Sequence, residues 1–399
     1  MTKKTGGQIV CEGLLKQGVD TVFGIPGGAI LPLYGSLSQF PDLRHILVRH
    51  EQGASHAADG YARITGKAGV CFATSGPGAT NLITGLATAM MDSSPVVAIT
   101  GQVARPGIGK DSFQETDITG ATLPVTKHSY LVMDPKDLAR VIKEAFYIAT
   151  TGRPGPVLID IPRDVFAESI DFDDSIWDEP IDLPGYHPPT IADFKDVKSA
   201  AKLIDSSKKP VILAGHGVII SHAYRELKDL AEKCQIPVVT TLLGISSFPE
   251  DHILSLSFPG MHGVAWASLA LHEADLIIAI GSRFDDRITG DTKRFATRSK
   301  KIHIDIDPAE INKNIKIDVP LIGNVKDVLN QLNPIVEQKT HQDWVRTIEQ
   351  MKADHPSLRI KETDDLLGQH VIKAIFEETE GKAIVVTGVG QHQMWAAQH

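Results

Sequence analysis

The chain has 399 residues, which at roughly 150 residues per domain predicts two or three domains. Its 40 basic and 49 acidic residues give a formal net charge of −9, which argues against a nucleic-acid partner. No apolar run approaches the roughly 20 residues that cross a bilayer, and Lys3-Lys4 precedes no signal-peptide core. The cysteines, Cys11, Cys71 and Cys234, lack metal or disulfide spacing. We therefore expect buried free thiols in a cytoplasmic protein that does not enter a membrane.

Short β-branched runs alternate with amphipathic segments of helical length over the first 170 residues. The predicted strands are residues 21–23, 45–48, 70–74, 95–100 and 157–161. The predicted helices are residues 9–17, 30–37, 52–64 and 81–91. Such alternation is typical of a doubly wound parallel sheet with helices on both faces, so residues 1–170 are expected to form an α/β domain.

The remaining chain repeats this pattern after an acidic, proline-rich stretch, residues 171–190, which we interpret as a linker. A second α/β domain is predicted over residues 191–338, with strands at 211–214, 238–241, 276–280 and 301–305 and a helix at 224–233. A polar stretch, residues 339–365, is interpreted as a second linker. A third α/β unit begins at residue 366, with a helix at 369–377 and a strand at 383–387. Because a typical domain has about 100 to 150 residues, we expect the sequence to end inside this third domain.

Two glycine-rich turns follow predicted strands of the first domain. In the turn after residue 74, Gly76 and Gly78 allow a close backbone approach, and Asn81 can reach the polar edge of a ring. The turn at residues 24–28 follows another strand and is expected at the same carboxyl edge of the sheet, where open α/β sheets bind ligands. An ordinary tight strand-to-helix turn is the alternative interpretation.

A glutamate, Glu51, opens the predicted helix at residues 52–64, which is rich in glycine and alanine. These small residues allow another surface to pack close to the carboxylate, which could then hold or share a proton near neutral pH. The commoner alternative is a helix-start glutamate stabilised by the helix dipole.

The second domain contains a possible dinucleotide site. Gly215 and Gly217 follow a strand and form half of a dinucleotide fingerprint. After the next predicted strand, Arg283 and Arg287 are suited to a diphosphate, and the strand end at residues 303–307 offers carboxylates to a ribose or a ring. A solvated salt-bridge cluster is the competing interpretation.

Seven segments together resemble one enzyme family, the catalytic subunit of acetohydroxyacid synthase, also called acetolactate synthase. The segments, in chain order, are GIPGGAILPLY, RHEQGASHAADGYAR, SGPGATN, GKDSFQETDITG, GRPGPVLIDIPRDV, GSRFDDRITG and TGVGQHQMWAAQ. The resemblance implies three successive doubly wound parallel-sheet domains of the thiamine diphosphate enzyme type. They are a pyrimidine-binding domain, a central FAD-binding domain and a diphosphate-binding domain. It also implies a homodimer or larger assembly, in which the first domain of one subunit meets the third domain of its partner.

The resemblance assigns residues to each cofactor. Glu51 would bond N1′ of the aminopyrimidine ring and promote removal of the thiazolium C2 proton, and Gln114 is the second catalytic candidate. The thiamine diphosphate pocket and the active-site mouth would include Gly27, Gly28, Thr74, Pro77, Asn81, Phe113 and Arg163. FAD would be bound by Arg153, Gly215, Thr240, Met261, His262, Gly281, Arg283, Asp285, Arg287, Asp305 and Asn324. First diphosphate contacts would be Val389, Gly390, Gln391 and His392, with no metal ligand in the sequence given and the Mg²⁺ ligands expected beyond residue 399.

The implied reaction decarboxylates pyruvate and joins the two-carbon unit to a second 2-oxoacid, either pyruvate or 2-oxobutyrate. This is the first common step of valine, leucine and isoleucine biosynthesis, and a small regulatory subunit is a candidate partner. We expect the 399 residues to be inactive alone. The alternatives are another flavin-carrying thiamine enzyme, of the pyruvate oxidase or glyoxylate carboligase type, and a non-catalytic fragment that binds FAD or dimerises. Glu51 argues against the carboligase, which carries an apolar residue at that position.

Overall fold

The computed structural model describes residues 2–399, which divide into two compact units, one ending at His187 and the other comprising Pro188–His399. Within residues 2–399, no helix is both long and apolar enough to cross a membrane. All three cysteines are buried free thiols, as the sequence predicts.

The first unit is an α/β structure built on a six-stranded parallel sheet. The strands of the first unit are β1 Thr2–Thr5, β2 Thr21–Gly24, β3 Arg44–Leu47, β4 Gly69–Ala73, β5 Val96–Gln102, β6 His128–Leu131, β7 Val157–Pro162 and β8 Ser169–Phe172. Strands β1 and β8 pair with each other, outside the six-stranded sheet. The helices of the first unit are α1 Gly6–Lys16, α2 Leu31–Leu37, α3 Glu51–Thr65, α4 Pro77–Thr80, α5 Ile83–Asp92, α6 Ile118–Thr122, α7 Leu138–Thr150 and α8 Arg163–Ala167. The sheet order is β3-β2-β4-β5-β7-β6, and every pair is parallel.

The central strands β4, β5 and β7 are buried along their whole length, as expected for a parallel sheet covered on both faces. Alternate side chains enter two different cores. Phe72 and Ile99 pack with residues of α1 and α7, whereas Cys71 and Ala98 pack with residues of α3 and α5. Strand β3 lies on one side of β2, and the next strand in the sequence, β4, lies on the other side. The direction in which successive strands are added to the sheet therefore reverses between β2 and β4.

Part of the segment interpreted as the first linker packs onto the first unit. Its first residues complete β8, which pairs antiparallel with β1, joining Phe172 to Thr2. Trp177 lies against Phe172 and donates from Nε1 to Glu12 Oε1 at 3.1 Å. The sequence did not predict these contacts, because a single packed aromatic residue produces neither a helical nor a strand period in hydrophobicity.

The second unit contains a five-stranded parallel sheet. Its strands are β9 Pro210–Ala214, β10 Val238–Thr240, β11 Leu276–Ile280, β12 Lys300–Asp305 and β13 Val319–Ile322. Its helices are α9 Phe194–Ser206, α10 His216–Ile220, α11 Tyr224–Cys234, α12 Ala265–Glu273, α13 Asp286–Thr289, α14 Val325–Leu332, α15 Gln342–Asp354, α16 Gly368–Glu378 and α17 Gln391–Gln398. The order β10-β9-β11-β12-β13 places the reversal of winding between β9 and β11.

The polar stretch interpreted as the second linker contains a docked helix. Trp344 of α15 is 2% exposed and donates from Nε1 to the Pro210 carbonyl at 3.1 Å. Ile348, one turn later, is also buried. Trp344, Ile348 and Met351 recur at helical spacing and pack in one core. The polar residues between them give the stretch the composition of a connector.

The predicted strand at residues 383–387 is wrong. Among residues 2–399 no strand is formed there, and Ile384 and Val386 are 94% and 88% exposed. A strand needs a hydrogen-bonded neighbour, and none of the described strands lies beside this segment. The helix predicted before it is present as α16.

Candidate cofactor-binding sites

The first candidate site lies at the carboxyl ends of β2 and β4, where the winding of the sheet reverses. In open α/β sheets this crevice is the usual ligand position. The turn after β2 carries Gly27 and Gly28, and the turn after β4 carries Thr74 and Pro77. Both glycine-rich turns identified in the sequence therefore meet at one edge.

Glu51 and Asn81 form the polar centre of this site. Asn81 follows α4, and its Nδ2 donates to Oε2 of Glu51 at 2.9 Å in a half-buried position. His50, not Glu51, caps α3, because its Nδ1 accepts from the Gln52 amide at 3.1 Å. The Glu51 carboxylate is thus held from another helix, which favours a functional role over that of an ordinary helix-start residue.

Thr74 connects the two turns. Its Oγ1 accepts from the Ala29 amide at 3.1 Å. A Cβ on Gly27 would lie 2.5 Å from Thr74 Cγ2, and a Cβ on Gly78 would lie 2.8 Å from the same atom. Oε1 of Glu51 is 3.2 Å from that second position. Only glycine leaves room here for the Thr74 side chain and the carboxylate together.

A loop after β5, residues 103–117, brings Gln114 to the same turn. A Cβ on Gly76 would lie 2.6 Å from the Gln114 carbonyl oxygen, and Gly76 and Gln114 both have a φ of 59°. The loop folds around Glu115, whose carboxylate accepts from the Ser112 amide at 2.9 Å. Phe113 is 88% exposed at its tip. Arg163 is exposed at the start of α8, after β7.

The second candidate site lies at the reversal between β9 and β11. The Gly217 amide donates to the Gly281 carbonyl at 3.1 Å, and a Cβ on Gly215 would lie 2.2 Å from that oxygen. Gly281 also has a φ of 57°. The glycines at these three positions let two strand-end turns touch, which creates a backbone-lined crevice.

A short helix carries the charged residues of this second site. Asp285 caps α13 by accepting from the Arg287 amide at 3.0 Å, and the Arg287 side chain is 68% exposed. The Met261 amide donates to the Arg287 carbonyl at 3.2 Å, which brings another predicted residue to the same turn. Arg283 is half-buried two residues before Asp285.

A buried histidine supports the turn after β11. His303, fully buried in β12, donates from Nε2 to the Ser282 carbonyl at 2.8 Å and lies 3.7 Å from Asp305 Oδ2. Ser282 Oγ is buried and has no hydrogen-bond partner among residues 2–399. The turn therefore retains an unused polar group beside Gly281.

The remaining predicted FAD residues are distributed more widely. Thr240 is buried at the end of β10, and Asn324 caps α14 by accepting from the Lys326 amide at 3.0 Å. The His262 carbonyl accepts from Gln398 Nε2 at 2.5 Å. Arg153 lies in the first unit and donates from Nε to Ser93 Oγ at 2.9 Å.

The predicted diphosphate contacts lie at the start of α17. This helix begins at Gln391, directly after Gly390, whose φ is 151°. Val389, Gln391 and His392 are exposed.

Sequence reasoning missed two buried residues next to these sites, Gln102 and Asp160. Asp160 is 1% exposed in β7, and the amide of Gln102 donates to it. An acidic residue inside an apolar strand, as in the run VLIDIP, was the available signal. For His303 in β12 the signal is a histidine between two isoleucines.

Comparison with known proteins identifies the family. Residues 4–121 match the family model described as thiamine pyrophosphate enzyme, N-terminal TPP binding domain, and residues 197–332 match the corresponding central domain. The chain is 50% identical to a protein of Methanocaldococcus jannaschii named probable acetolactate synthase large subunit, over 98% of this chain and 68% of the relative. The chain belongs to the acetolactate synthase large-subunit family.

Other acetolactate synthase large subunits match to a similar extent. The Corynebacterium glutamicum protein is 50% identical over 99% of this chain, and the Porphyra purpurea protein is 47% identical over 100% of it. The chain spans 64% of the length of the Corynebacterium relative. The first candidate site falls within the residues that match the N-terminal TPP binding domain, and the glycine crevice of the second falls within the matched central domain.

Proposed function

We propose that this chain provides the pyrimidine-binding and central domains of a thiamine diphosphate-dependent acetolactate synthase. The enzyme would decarboxylate pyruvate and join the two-carbon unit to a second 2-oxoacid, pyruvate or 2-oxobutyrate, in the first common step of branched-chain amino-acid synthesis. The observation that carries the proposal is the Glu51–Asn81 pair at the reversal of the first sheet.

The first site fits an aminopyrimidine ring in its chemistry. Asn81 donates to one carboxylate oxygen of Glu51. The other oxygen lies beside Gly78, which has no side chain to cover it. A flat ring that carries a protonatable nitrogen can approach such a carboxylate closely. Gly28 adds room, since a Cβ there would meet no atom within 4 Å.

Thiamine diphosphate, when bound, would supply a carbanion that adds to the pyruvate carbonyl and a cationic ring that takes up the electron pair left by decarboxylation. Glu51 would hold the ring by sharing a proton between its carboxylate and a ring nitrogen. Asn81 fixes the direction of that carboxylate by its 2.9 Å hydrogen bond. Thr74 keeps the β2 turn in place through the Ala29 amide. Gln114 and the exposed Phe113 border the mouth of the site.

We propose FAD as the ligand of the second site. The touching turns at Gly215 and Gly281 and the unpartnered hydroxyl of Ser282 support a dinucleotide there. Arg283 and Arg287 would bind the diphosphate by charge-assisted hydrogen bonds. The proposal includes the other predicted residues, namely Arg153, Thr240, Met261, His262, Asp285, Asp305 and Asn324, and it does not require the flavin for redox turnover.

Magnesium and the diphosphate are assigned to a third domain. Within residues 2–399 no cluster of three or more His, Cys, Asp or Glu side chains is placed to hold a metal ion. The proposal gives these residues no Mg²⁺ ligand and assigns only the first diphosphate contacts to Val389, Gly390, Gln391 and His392. A homodimer or larger assembly would complete the site, and a small regulatory subunit is a candidate partner.

The test is an acetolactate assay on a chimera that joins this chain to the carboxyl-terminal domain of the Corynebacterium glutamicum relative. With pyruvate, Mg²⁺ and thiamine diphosphate we expect acetolactate, measured as acetoin after acid treatment, and a loss of roughly 10²-fold or more in Glu51→Gln. A folded chimera that binds thiamine diphosphate and yields no acetolactate would refute the proposal. Product from glyoxylate alone would favour the carboligase, and oxygen consumption in step with pyruvate would favour the oxidase.

A further inference from the structure

A buried carboxylate lies on β7, which is separated from β4 of the first candidate site by β5, and it is not used in the function proposed above. Asp160, in the middle of β7, is 1% exposed. Its neighbours Ile159 and Ile161 pack on the α1 and α7 side of the sheet, so Asp160 points to the opposite side with Leu158. A charged residue is rarely retained in such a position without a specific role.

Two polar side chains of β5 satisfy this carboxylate. Thr100 Oγ1 donates to Oδ1 at 2.7 Å, and Gln102 Nε2 donates to Oδ2 at 2.9 Å. Both donors are buried, at 0% and 5% exposure. The pairing follows from the sheet register, which places Thr100 directly beside Asp160.

The same glutamine holds both ends of the loop at residues 103–117. Gln102 Nε2 also donates to the Thr116 carbonyl at 2.8 Å, and Gln102 Oε1 accepts from the Val103 amide at 2.8 Å. The loop between these anchors carries Phe113 and Gln114, and the Gln114 carbonyl packs against Gly76. The orientation of this amide thus anchors both ends of the loop, while Arg105 anchors it further through Asp164.

We propose that Asp160 is a positioning residue that orients the Gln102 amide and, through that amide, fixes the loop that presents Phe113 and Gln114 at the cofactor site. The carboxylate accepts from Gln102 Nε2 in the same amide orientation that the Thr116 carbonyl and the Val103 amide require. An uncharged residue at position 160 would replace this charge-assisted hydrogen bond with a weaker one and so loosen the hold on the amide. The inference rests on the proposed function only where it treats Phe113 and Gln114 as site residues.

The charge on Asp160 makes this arrangement sensitive to pH. Burial raises the pKa of Asp160 to about 7, the nearby charge of Asp117 adds to the rise, and the hydrogen bonds from Thr100 and Gln102 oppose it. Asp117 belongs to α6, which it caps through the Gly120 amide. The register partners on the neighbouring strands, Thr100 of β5 and Leu131 of β6, are uncharged. The loop should therefore become more ordered as the pH rises through about 7.

Hydrogen exchange of the loop tests the inference without any need for turnover. In the wild-type chain, amides of residues 103–117 should exchange about tenfold more slowly at pH 8 than at pH 6, after correction for intrinsic rates. Asp160→Asn and Gln102→Met should exchange fast at both pH values. Thr100→Val removes one donor to the carboxylate. The pH at which loop exchange is halfway between its two limits should therefore rise by about one pH unit or more, and we call this pH the midpoint.

Thr126→Val is the matched control, because Thr126 is a buried threonine of the same unit whose hydroxyl bonds the Thr122 carbonyl at 2.9 Å and not Asp160. It should leave the loop and the midpoint unchanged. Wild-type exchange in Gln102→Met, or a midpoint that Thr100→Val does not move, would overturn the positioning role even if Asp160→Asn fails to fold.

In the chimeric enzyme, kcat/KM should also change with pH, with an inflection at the same midpoint. If the loop becomes ordered with pH but kcat/KM shows no inflection at that pH, the loop does not act on the cofactor site. This conclusion holds for whichever product the enzyme forms.

Discussion

The amide of Asn81 donates to the carboxylate of Glu51 across 2.9 Å, although 30 residues separate the two in the sequence. The contact joins the end of α4 to the beginning of α3. It is possible because Gly78 keeps the intervening space open. A carboxylate held in this way presents its other oxygen in a defined direction.

Replacing Glu51 with Gln should keep the shape and the contact with Asn81 but remove the proton-holding carboxylate. The exchange of the C2 proton of bound thiamine diphosphate should then slow by roughly 10²-fold or more, as measured by NMR on the chimeric enzyme. Glu250→Gln, at an exposed position of the second unit, should exchange at the wild-type rate. Unchanged exchange in Glu51→Gln would exclude the assigned role.

Two adjacent glycines should respond differently to alanine. In Gly27→Ala the new Cβ would lie 2.5 Å from Thr74 Cγ2, so the Thr74 side chain must move away from the Ala29 amide. We expect a loss of roughly 1 to 3 kcal/mol in the free energy of unfolding. Gly28→Ala meets no atom within 4 Å and should stay within about 0.5 kcal/mol of wild type. Urea denaturation measures both, and equal effects would contradict the packing described for Thr74.

Arg283→Ala should weaken flavin retention by roughly 1.5 to 3 kcal/mol, because a charge-assisted hydrogen bond to the diphosphate is lost. Flavin absorbance of the purified protein, titrated with FAD, reports the change. Arg298→Ala, at an exposed position in the same unit, is the control and should bind flavin normally. Equal flavin affinity in the two variants would remove Arg283 from the site.

The stability of the first unit should depend on pH through Asp160. Because burial raises the folded-state pKa to about 7 from 3.8, the folded protein binds a proton that the unfolded chain releases between these values. The free energy of unfolding should fall with rising pH in this window by up to about 1.4 kcal/mol per pH unit and level off above pH 7. Asp160→Asn should flatten the profile. Chemical denaturation at several pH values checks the prediction, and an identical slope in the variant would contradict it.

The helix α15 should be integral to the second unit. Trp344→Ala removes a buried indole and its bond to the Pro210 carbonyl, at a cost of roughly 3 to 5 kcal/mol. Arg346→Ala, on the exposed face of the same helix, should cost no more than about 0.5 kcal/mol. Thermal unfolding followed by circular dichroism distinguishes the two. Little effect of Trp344→Ala would restore the linker interpretation of this segment.

Strand and helix alternation was predictable for most strands of the two parallel sheets, but β6 and β13 were not predicted. The predicted strand at 276–280 coincides with β11, and the other predicted strands of the two sheets lie within one or two residues of the observed bounds. The packed segments around Trp177 and Trp344 were not predicted. Trp177 is a single aromatic anchor and carries no period, and the apolar residues of α15 are few among polar ones.

The candidate sites could be predicted in part. Gly-rich turns at strand ends indicated where ligands would meet the sheet, and the contact between Glu51 and Asn81 agrees with that location. The roles of Gln102, Asp160 and His303 depend on strand register, which a sequence specifies only after the strand order is known. The individual assignments to thiamine diphosphate and FAD stay predictions.

The first strand of the chain pairs with the last strand of the first unit, and this delays folding during synthesis. Thr2 can meet Phe172 only after the ribosome has added about 170 residues, which takes roughly 10 to 30 seconds. Until then Lys4 lacks its ion pair with Asp174, although its pair with Glu12 is already available. Until then β1 is an unpaired strand edge, the kind of surface that makes a growing chain prone to aggregation.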